Sequence, residues 1–259
     1  MIDENLIDQM QNSLSRMKNP VRLILFTRDM GCEACPDALK LARSVKAKAP
    51  KIALEVYDQV MDRDKAEQYG VERVPTLVVQ GGNGRLIRFS GLVEDVFLKI
   101  LLETILSASE GKIWFPENIR RTLGHLEKDV PIQVFVETDC AQCRPVAETA
   151  IGLAFESDLI SADVVIASSF PDLIRKHSIK TLPKTIFGAN LHMDGHVTEG
   201  QFLEMIFEAE GLQTGPDRRC LVCGNPSPEI ICSTCKTKIQ AEAVDHKRKG
   251  EKLRQTDNL

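Results

Sequence analysis

All eight cysteines of this 259-residue chain fall into pairs with the spacing Cys-x-x-Cys. The four pairs are Cys32/Cys35, Cys140/Cys143, Cys220/Cys223 and Cys232/Cys235. Disulfides that stabilise secreted domains usually join distant cysteines, because closing a long loop restricts the unfolded chain. A gap of two residues is instead typical of redox dithiols and of metal-binding thiolates. The cysteines therefore predict thiol–disulfide exchange, metal binding or both.

The first two pairs belong to an internal repeat. Cys32 and Cys140 are 108 positions apart (140 − 32), and Pro75 and Pro183 have the same offset (183 − 75). Each proline therefore follows the first cysteine of its pair at the same distance of 43 positions (75 − 32). Landmarks that share one register in this way indicate a duplicated domain.

Each copy of the repeat has the hydrophobic pattern of an α/β domain. An apolar run that suits a buried strand precedes each pair, at residues 22–26 and 132–136, and helically spaced apolar residues follow it. A strand, a polar helix, a strand that begins at the repeated proline, a further strand and a terminal helix complete the copy. An added amphipathic helix, at residues 4–17 or 117–126, precedes each copy. The order βαβαββα predicts two tandem α/β domains, each a mixed sheet with helices on both faces.

Clusters of glycine, proline and polar residues set the expected domain boundaries. They predict one domain at residues 1–110, a second at 111–213, a cysteine-rich module at 214–240 and a charged tail at 241–259. Strongly charged segments bury little apolar surface, so we expect the tail to be a frayed helix or disordered.

The charge and the hydropathy exclude several functional classes. A net charge of −4 provides no dense basic patch of the kind that binds nucleic acid or anionic lipid. Acidic residues stand near the amino terminus, where a signal peptide has basic ones, and no run approaches the roughly 18 apolar residues of a membrane helix. We therefore expect a cytoplasmic protein that binds neither nucleic acid nor membranes.

A Cys-x-x-Cys pair at the junction of a strand and a helix supports thiol–disulfide exchange. Its first thiol lies where unpaired backbone N–H groups and the helix dipole favour an anion, and the thiolate is the reactive form. The second cysteine is nearly one helical turn away, close enough to form a disulfide. Cys32 and Cys140 are thus predicted to attack a substrate disulfide, and Cys35 and Cys143 to resolve the mixed disulfide.

The pairs, their spacing to Pro75 and Pro183 and the duplication resemble the thioredoxin superfamily over residues 2–212. In that family a cis-proline faces the Cys-x-x-Cys pair, and the preceding residue offers its backbone to an extended substrate. The resemblance implies two tandem thioredoxin-like domains, with Val74 and Leu182 as docking residues beside their prolines. The tandem arrangement is similar to the two-domain, glutaredoxin-like protein disulfide oxidoreductases and to the twin domain of the flavoprotein component of alkyl hydroperoxide reductase.

This resemblance implies a dithiol–disulfide oxidoreductase that acts on protein disulfides or dithiols without a bound organic cofactor. By analogy, an NADPH-dependent flavoprotein reductase is the expected electron source. The chain departs from the family in two respects. The dipeptides within the pairs, Glu-Ala and Ala-Gln, are not the common ones, and the buried acid that thioredoxin has six residues before the first cysteine is replaced by Phe26 and Val134.

The two pairs are not expected to be equivalent. Glu33 places a negative charge beside Cys32, which opposes ionisation of that thiol, whereas Arg144 directly follows Cys143. We therefore predict a lower thiol pKa for Cys140, and Cys140/Cys143 as the principal site of exchange.

Other interpretations of the first two pairs remain open. Met30 gives the first copy the Met-x-Cys-x-x-Cys pattern of copper chaperones, whose thiolates bind Cu(I), but the second copy lacks the methionine. Zinc bridging the two pairs is a further alternative, as is a chance Cys-x-x-Cys. Pro75 and Pro183 could each be an ordinary strand-edge proline, although their matched offset argues against this for both.

The last two pairs predict a metal site. Cys220, Cys223, Cys232 and Cys235 can surround Zn²⁺ tetrahedrally, and Gly224 allows the backbone to turn after the first pair. So small a segment has almost no core, so the metal would supply its folding energy. We predict a structural zinc, with a third redox site as the alternative. The gap between the pairs is shorter than in a zinc ribbon, so that fold is not assigned.

Two functions of different classes compete. The leading hypothesis is the protein disulfide oxidoreductase. Its rival is a non-catalytic protein whose twin domains present a docking groove and whose zinc module contacts another macromolecule. A fused metal-transfer protein is a third hypothesis, and it predicts more than one metal ion per chain.

Overall fold

A computed structural model describes residues 4–82 and 84–256, with side chains for 5–82 and 84–250. The first half contains α1 (Glu4–Gln9), α2 (Gln11–Ser15), β1 (Val21–Thr27), α3 (Cys35–Lys48), β2 (Ile52–Asp58), α4 (Arg63–Gln68), β3 (Thr76–Gln80), β4 (Leu86–Ser90) and α5 (Asp95–Glu110). The second half contains α6 (Glu117–Leu123), β5 (Val130–Val136), α7 (Cys143–Glu156), β6 (Ile160–Ile166), a 3₁₀ turn (Ala167–Ser169), α8 (Pro171–Lys176), β7 (Lys184–Phe187), β8 (Leu191–Asp194) and α9 (Glu199–Glu210). A last helix, α10, spans Ser233–Thr256.

The eight strands form one mixed sheet in the order β2-β1-β3-β4-β6-β5-β7-β8. β1 pairs in parallel with β2 and antiparallel with β3, and β5 repeats this with β6 and β7. The halves meet where β4 pairs in parallel with β6, with Arg88 opposite Asp163. The prediction of two tandem α/β domains with mixed sheets is confirmed. The structure adds that their sheets are continuous.

Helices cover both faces of this sheet, so its central strands are apolar on both sides. In β1, Leu23 and Leu25 face a large buried cluster, whereas Ile24 and Phe26 face a smaller one that includes residues of α4. The large cluster contains residues of α3, α5, α7 and α9 and therefore continues across both halves. The two domains share one hydrophobic core on that face.

One helical segment differs from the sequence-based expectation, and the charged tail follows one of its two expected alternatives. The helix predicted over residues 4–17 is divided into α1 and α2 by a turn at Met10. The charged tail, expected to be a frayed helix or disordered, is helical as far as Thr256; Ala243 is buried, and Lys247 pairs with Glu199 at 2.7 Å. The last three residues of the predicted tail, 257–259, lie outside the described part of the chain. Among the helices described, none combines the length and the hydropathy that a membrane span requires.

Candidate functional site

The first redox pair lies between β1 and α3. Cys32 precedes the helix and is partly exposed, whereas Cys35 is the first residue of α3 and only 4% exposed. Their sulfurs form a disulfide, and the backbone N–H of Cys35 donates to the carbonyl oxygen of Cys32 at 3.3 Å. Cys32 is therefore the more accessible cysteine of the pair.

The second pair repeats this arrangement between β5 and α7. Cys140 is partly exposed, and Cys143 is the first residue of α7 and fully buried. The sulfurs again form a disulfide, and the N–H of Cys143 donates to the carbonyl oxygen of Cys140 at 3.1 Å. Each pair thus presents one accessible and one inaccessible sulfur, the asymmetry that a two-step exchange requires.

Each redox pair has its proline segment beside it. The Val74–Pro75 and Leu182–Pro183 bonds are both cis, the isomer that the family resemblance implies. Both prolines are buried, and Val74 and Leu182 before them are partly exposed. The segments lie at the cysteine-bearing edge of the sheet because Thr76 pairs with Phe26 at the end of β1, just as Lys184 pairs with Phe135 in β5.

The loop that leads to the cysteines is one residue shorter in the second half. Residues 28–31 separate β1 from Cys32, whereas residues 137–139 separate β5 from Cys140. The strands are therefore offset by 109 positions (130 − 21), although the cysteines and prolines are offset by 108. Counting back from the cysteine assigns Val134 as the equivalent of Phe26, but the strand pairing makes Phe135 its counterpart. Both halves place a buried phenylalanine there.

The charges around the second pair are more balanced than the sequence suggests. Nε of Arg144 lies 2.7 Å from Oε1 of Glu148, and its Nη2 lies 3.8 Å from Oε2 of Glu103 on α5. These carboxylates offset the positive charge beside Cys143. The predicted lower pKa of Cys140 therefore depends on Glu33, which is exposed next to Cys32, and is opposed by Asp139, which is exposed next to Cys140.

We expect the Cys140 thiol to react faster than the Cys32 thiol. Cys35→Ser and Cys143→Ser each free one attacking cysteine, and the other pair is replaced by serines in both proteins. The alkylation rate with iodoacetamide across pH reports the thiolate fraction. The matched control is Glu33→Gln in the protein that retains only Cys32 of the two redox pairs. It should narrow the difference in alkylation rate between Cys32 and Cys140. A faster reaction at Cys32 would contradict the prediction.

The sequence matches a known family in both halves. The thioredoxin domain family matches residues 24–102 and again residues 130–208. The chain belongs to the thioredoxin domain family. Comparison with curated proteins gives no match.

Solved structures share the tandem arrangement of these thioredoxin domains. A protein disulfide oxidoreductase from Aeropyrum pernix K1 is 27% identical, with a TM-score of 0.74 over 82% of this chain and 96% of that one. The NTD_N/C domain of the alkylhydroperoxide reductase AhpF from Enterococcus faecalis is 20% identical, with a TM-score of 0.72 over 80% of this chain and 100% of that one. At 20% identity, the similarity to the AhpF domain shows a shared fold.

The third cysteine group lies beyond both thioredoxin domains. The sulfurs of Cys220, Cys223, Cys232 and Cys235 all lie within 4.8 Å of one another. The Sγ atoms of Cys223 and Cys232 are 3.9 Å apart, close to the edge of about 3.8 Å that a tetrahedron with Zn–S bonds of about 2.3 Å requires. Gly224 has φ +74° and donates its N–H to the carbonyl oxygen of Cys220 at 2.8 Å, which forms the expected turn. The cluster can therefore hold a metal ion.

The thiols of this cluster ionise unequally. Burial opposes ionisation of Cys220, but hydrogen bonds from the N–H groups of Cys232, Cys223 and Val222 outweigh it and lower the pKa of this thiol to about 6. Burial, and then contact with the neighbouring thiols, raises the pKa of Cys235. Four thiolates this close together repel one another, so full ionisation requires a cation among them.

α10 fixes this module to the second thioredoxin domain. A Cβ atom on Gly200 of α9 would lie 2.9 Å from Cα of Lys236, so the two helices touch at that glycine. Lys236 forms ion pairs with Glu204 of α9 and with Glu229 of the module. The module is therefore packed on the domain rather than tethered to it.

A buried polar group that the sequence pattern did not predict lies where the two thioredoxin domains meet. Asp163 is 2% exposed in β6 and accepts hydrogen bonds from Arg73 and Ser90 of the first domain. The signal was present, since an acid stands in the middle of a strand (residues 160–166) that is apolar apart from this acid and Ser161. The domain that would supply its partners could not be inferred from that pattern.

Proposed function

We propose that this protein is a dithiol–disulfide oxidoreductase that exchanges disulfides with protein substrates. The observation that carries the proposal is the duplicated pair with one accessible and one buried sulfur beside a proline segment. The similarity to the Aeropyrum protein, a protein disulfide oxidoreductase, supports the same reaction class. The exchange needs no organic cofactor, because the cysteines themselves carry the electrons.

In the reducing direction, the thiolate of Cys32 or Cys140 attacks a substrate disulfide. The first step forms a mixed disulfide and releases one substrate thiolate, which takes up a proton. Cys35 or Cys143 then loses its proton, attacks the sulfur of the attacking cysteine and releases the second substrate thiol. Two electrons and two protons pass from the dithiol to the substrate, and the protein is left with a disulfide. A dithiol such as dithiothreitol reduces that disulfide in an assay.

We assign the principal exchange to Cys140 and Cys143, with Cys32 and Cys35 as the second site. The exposed Glu33 beside Cys32 supports this ranking, since a neighbouring carboxylate disfavours the thiolate. The backbone of Val74 and Leu182 would dock extended substrates, with Pro75 and Pro183 fixing the course of the chain. The partial exposure of both docking residues is consistent with this role.

We further propose that Cys220, Cys223, Cys232 and Cys235 hold a structural zinc ion. The all-sulfur donor set and the Sγ separations within 4.8 Å support zinc. In this role the metal stabilises the module and takes no part in the exchange. An NADPH-dependent flavoprotein reductase is the proposed electron source, and the paired spacing of all eight cysteines fits a reducing, cytoplasmic compartment.

Insulin reduction with dithiothreitol tests the proposed function. We expect Cys140→Ser to lower the rate of insulin reduction at least about tenfold, because it removes the attacking thiolate of the proposed principal site. Cys32→Ser removes the attacking thiolate of the second site and should lower the rate less. The protein with both substitutions should not exceed the rate of dithiothreitol alone. Cys223→Ser is the control for loss of a cysteine outside the redox pairs and should retain activity. Full activity in the double variant would favour the non-catalytic binding protein.

A further inference from the structure

Asp163 joins the two halves through a buried cluster of polar side chains. Its Oδ2 accepts a hydrogen bond from Nη1 of Arg73 at 2.7 Å, and its Oδ1 accepts one from the hydroxyl of Ser90 at 2.7 Å. The side chain of Asp163 is 3% exposed and that of Arg73 is 13% exposed. A buried carboxylate needs such partners, because desolvation without them is costly.

The cluster extends to the residue that follows Pro75. The hydroxyl of Thr76 lies 3.1 Å from that of Ser90 and 2.8 Å from the carbonyl oxygen of Arg73. Each hydroxyl carries one proton, and that of Ser90 is directed to the carboxylate. The single proton of Thr76 is therefore shared between two acceptors, the carbonyl oxygen of Arg73 and the hydroxyl oxygen of Ser90. Asp163 thus binds Arg73 directly and reaches Thr76 through Ser90, so it acts on both ends of the segment that contains Val74 and Pro75.

The second proline segment is anchored differently. Lys184, which follows Pro183, pairs with Asp194 at 3.2 Å, and these residues are opposite each other in the β7–β8 hairpin. Thr76 and Ser90 are opposite each other in the same way in the β3–β4 hairpin. The second segment is thus held by its own domain, whereas the first is held by a residue of the other domain.

We propose that Asp163 is a positioning residue of the first redox site, acting from the second domain on the Val74–Pro75 segment. This inference rests on the proposed function, in which Val74 docks the substrate chain. Without the carboxylate, Arg73 retains the ring of Phe170, whose centroid is 5.8 Å from its Cζ, and Glu72, whose side chain lies 3.2 Å away and is 79% exposed. The guanidinium would then have no buried anionic partner, and the backbone between Arg73 and Thr76 would lose its fixed course. We expect this change to weaken the binding of substrates that dock along the backbone.

The test uses a protein whose second pair is inactivated by Cys140→Ser and Cys143→Ser. In it, Asp163→Asn should raise KM for insulin about fivefold to tenfold with little change in kcat, since docking rather than chemistry is disturbed. Reduction of 5,5′-dithiobis(2-nitrobenzoate), which has no backbone to dock, should stay within about twofold, as should the reduction equilibrium of the Cys32–Cys35 disulfide.

Asp158→Asn is the matched control. Asp158 also belongs to the second half and pairs with an arginine of the first, Arg85, at 2.8 Å, but its side chain is 79% exposed. Asp158→Asn should leave the reduction of insulin and of 5,5′-dithiobis(2-nitrobenzoate) unchanged. Asp163→Asn in the reciprocal protein, with Cys32→Ser and Cys35→Ser, should leave KM of the second site unchanged.

Ser90→Ala keeps the Arg73 pair and removes the link to Thr76, so it provides a second variant if Asp163→Asn does not fold. A KM increase for insulin without a change for the small disulfide again supports the inference. An unchanged KM in the folded variants would overturn it, as would an equal loss with both substrates, which indicates general destabilisation. Inactivity of the parent protein toward insulin would overturn the proposed function of the first site together with the inference.

Discussion

Cys235→Ser is expected to remove the metal from the carboxy-terminal module and to unfold it. Cys235 is buried in the first turn of α10, and a hydroxyl is a poor replacement for a thiolate ligand. The module has few buried apolar residues, among them Ile230 and Ile231, so we expect its stability to depend on the proposed zinc ion. Structural zinc in a small module contributes on the order of 10 kcal/mol. The zinc content measured by elemental analysis should fall from one ion per chain to almost none.

Limited proteolysis and circular dichroism follow the structural consequence. We expect cleavage within residues 214–235 and loss of the first turn of α10, while the rest of α10 and the thioredoxin domains retain their structure. Cys32→Ser is the control, because it also removes one cysteine but leaves the four metal ligands intact. Retention of a full equivalent of zinc by Cys235→Ser would contradict the prediction. A disulfide in this module without metal would instead favour a third redox site.

Gly91→Ala is expected to destabilise the protein by about 2–5 kcal/mol. Gly91 follows β4 with φ +103°, a conformation that L-residues rarely adopt. An added Cβ would lie 2.7 Å from Oγ of Ser169 and 2.9 Å from Cβ of Ile166, both in the second half. Gly91 also donates its N–H to the carbonyl oxygen of Pro75 at 2.8 Å, so the substitution should disturb the Val74–Pro75 segment. Urea unfolding and insulin reduction by the first site measure the two effects.

Gly84→Ala separates backbone strain from crowding. Gly84 also has a positive φ, +79°, but an added Cβ would meet no heavy atom within 4 Å. Alanine there should cost only the strain, about 1–2 kcal/mol, and should leave insulin reduction unchanged. Equal decreases in the free energy of unfolding for the two variants would show that crowding of the added Cβ against Ser169 and Ile166 costs little.

The sequence predicted what local pattern determines. The positions of the cysteines, the matched prolines and the apolar runs were sufficient for the thioredoxin fold of each half. Pairing of β4 with β6 could not be predicted, because alternation of apolar residues specifies the faces of a strand but not its neighbour. The same limit applies to Asp163, whose partners belong to the other half.

Charged side chains were the least predictable part of the candidate site. Arg144 indicated a positive environment for the second pair, but Glu148 and Glu103 lie close enough to offset it. Glu103 is 41 positions away in sequence (144 − 103), on a helix of the other half, so only the packing of α5 near α7 brings the charges together. For the charged tail, composition left a frayed helix or disorder open, and burial of Ala243 favours the helix.

The continuous sheet determines how far apart the two dithiols are. β1 and β5 run in the same direction, so both pairs emerge at the same edge of the sheet. Four strand spacings separate them, a span of about 19 Å at about 4.8 Å per step. Thiol–disulfide exchange requires the sulfurs to touch, and an unbroken ladder of hydrogen bonds has no hinge that would bring them together. An electron pair that leaves one site for the other must therefore travel on a separate thiol carrier or pass to a second chain.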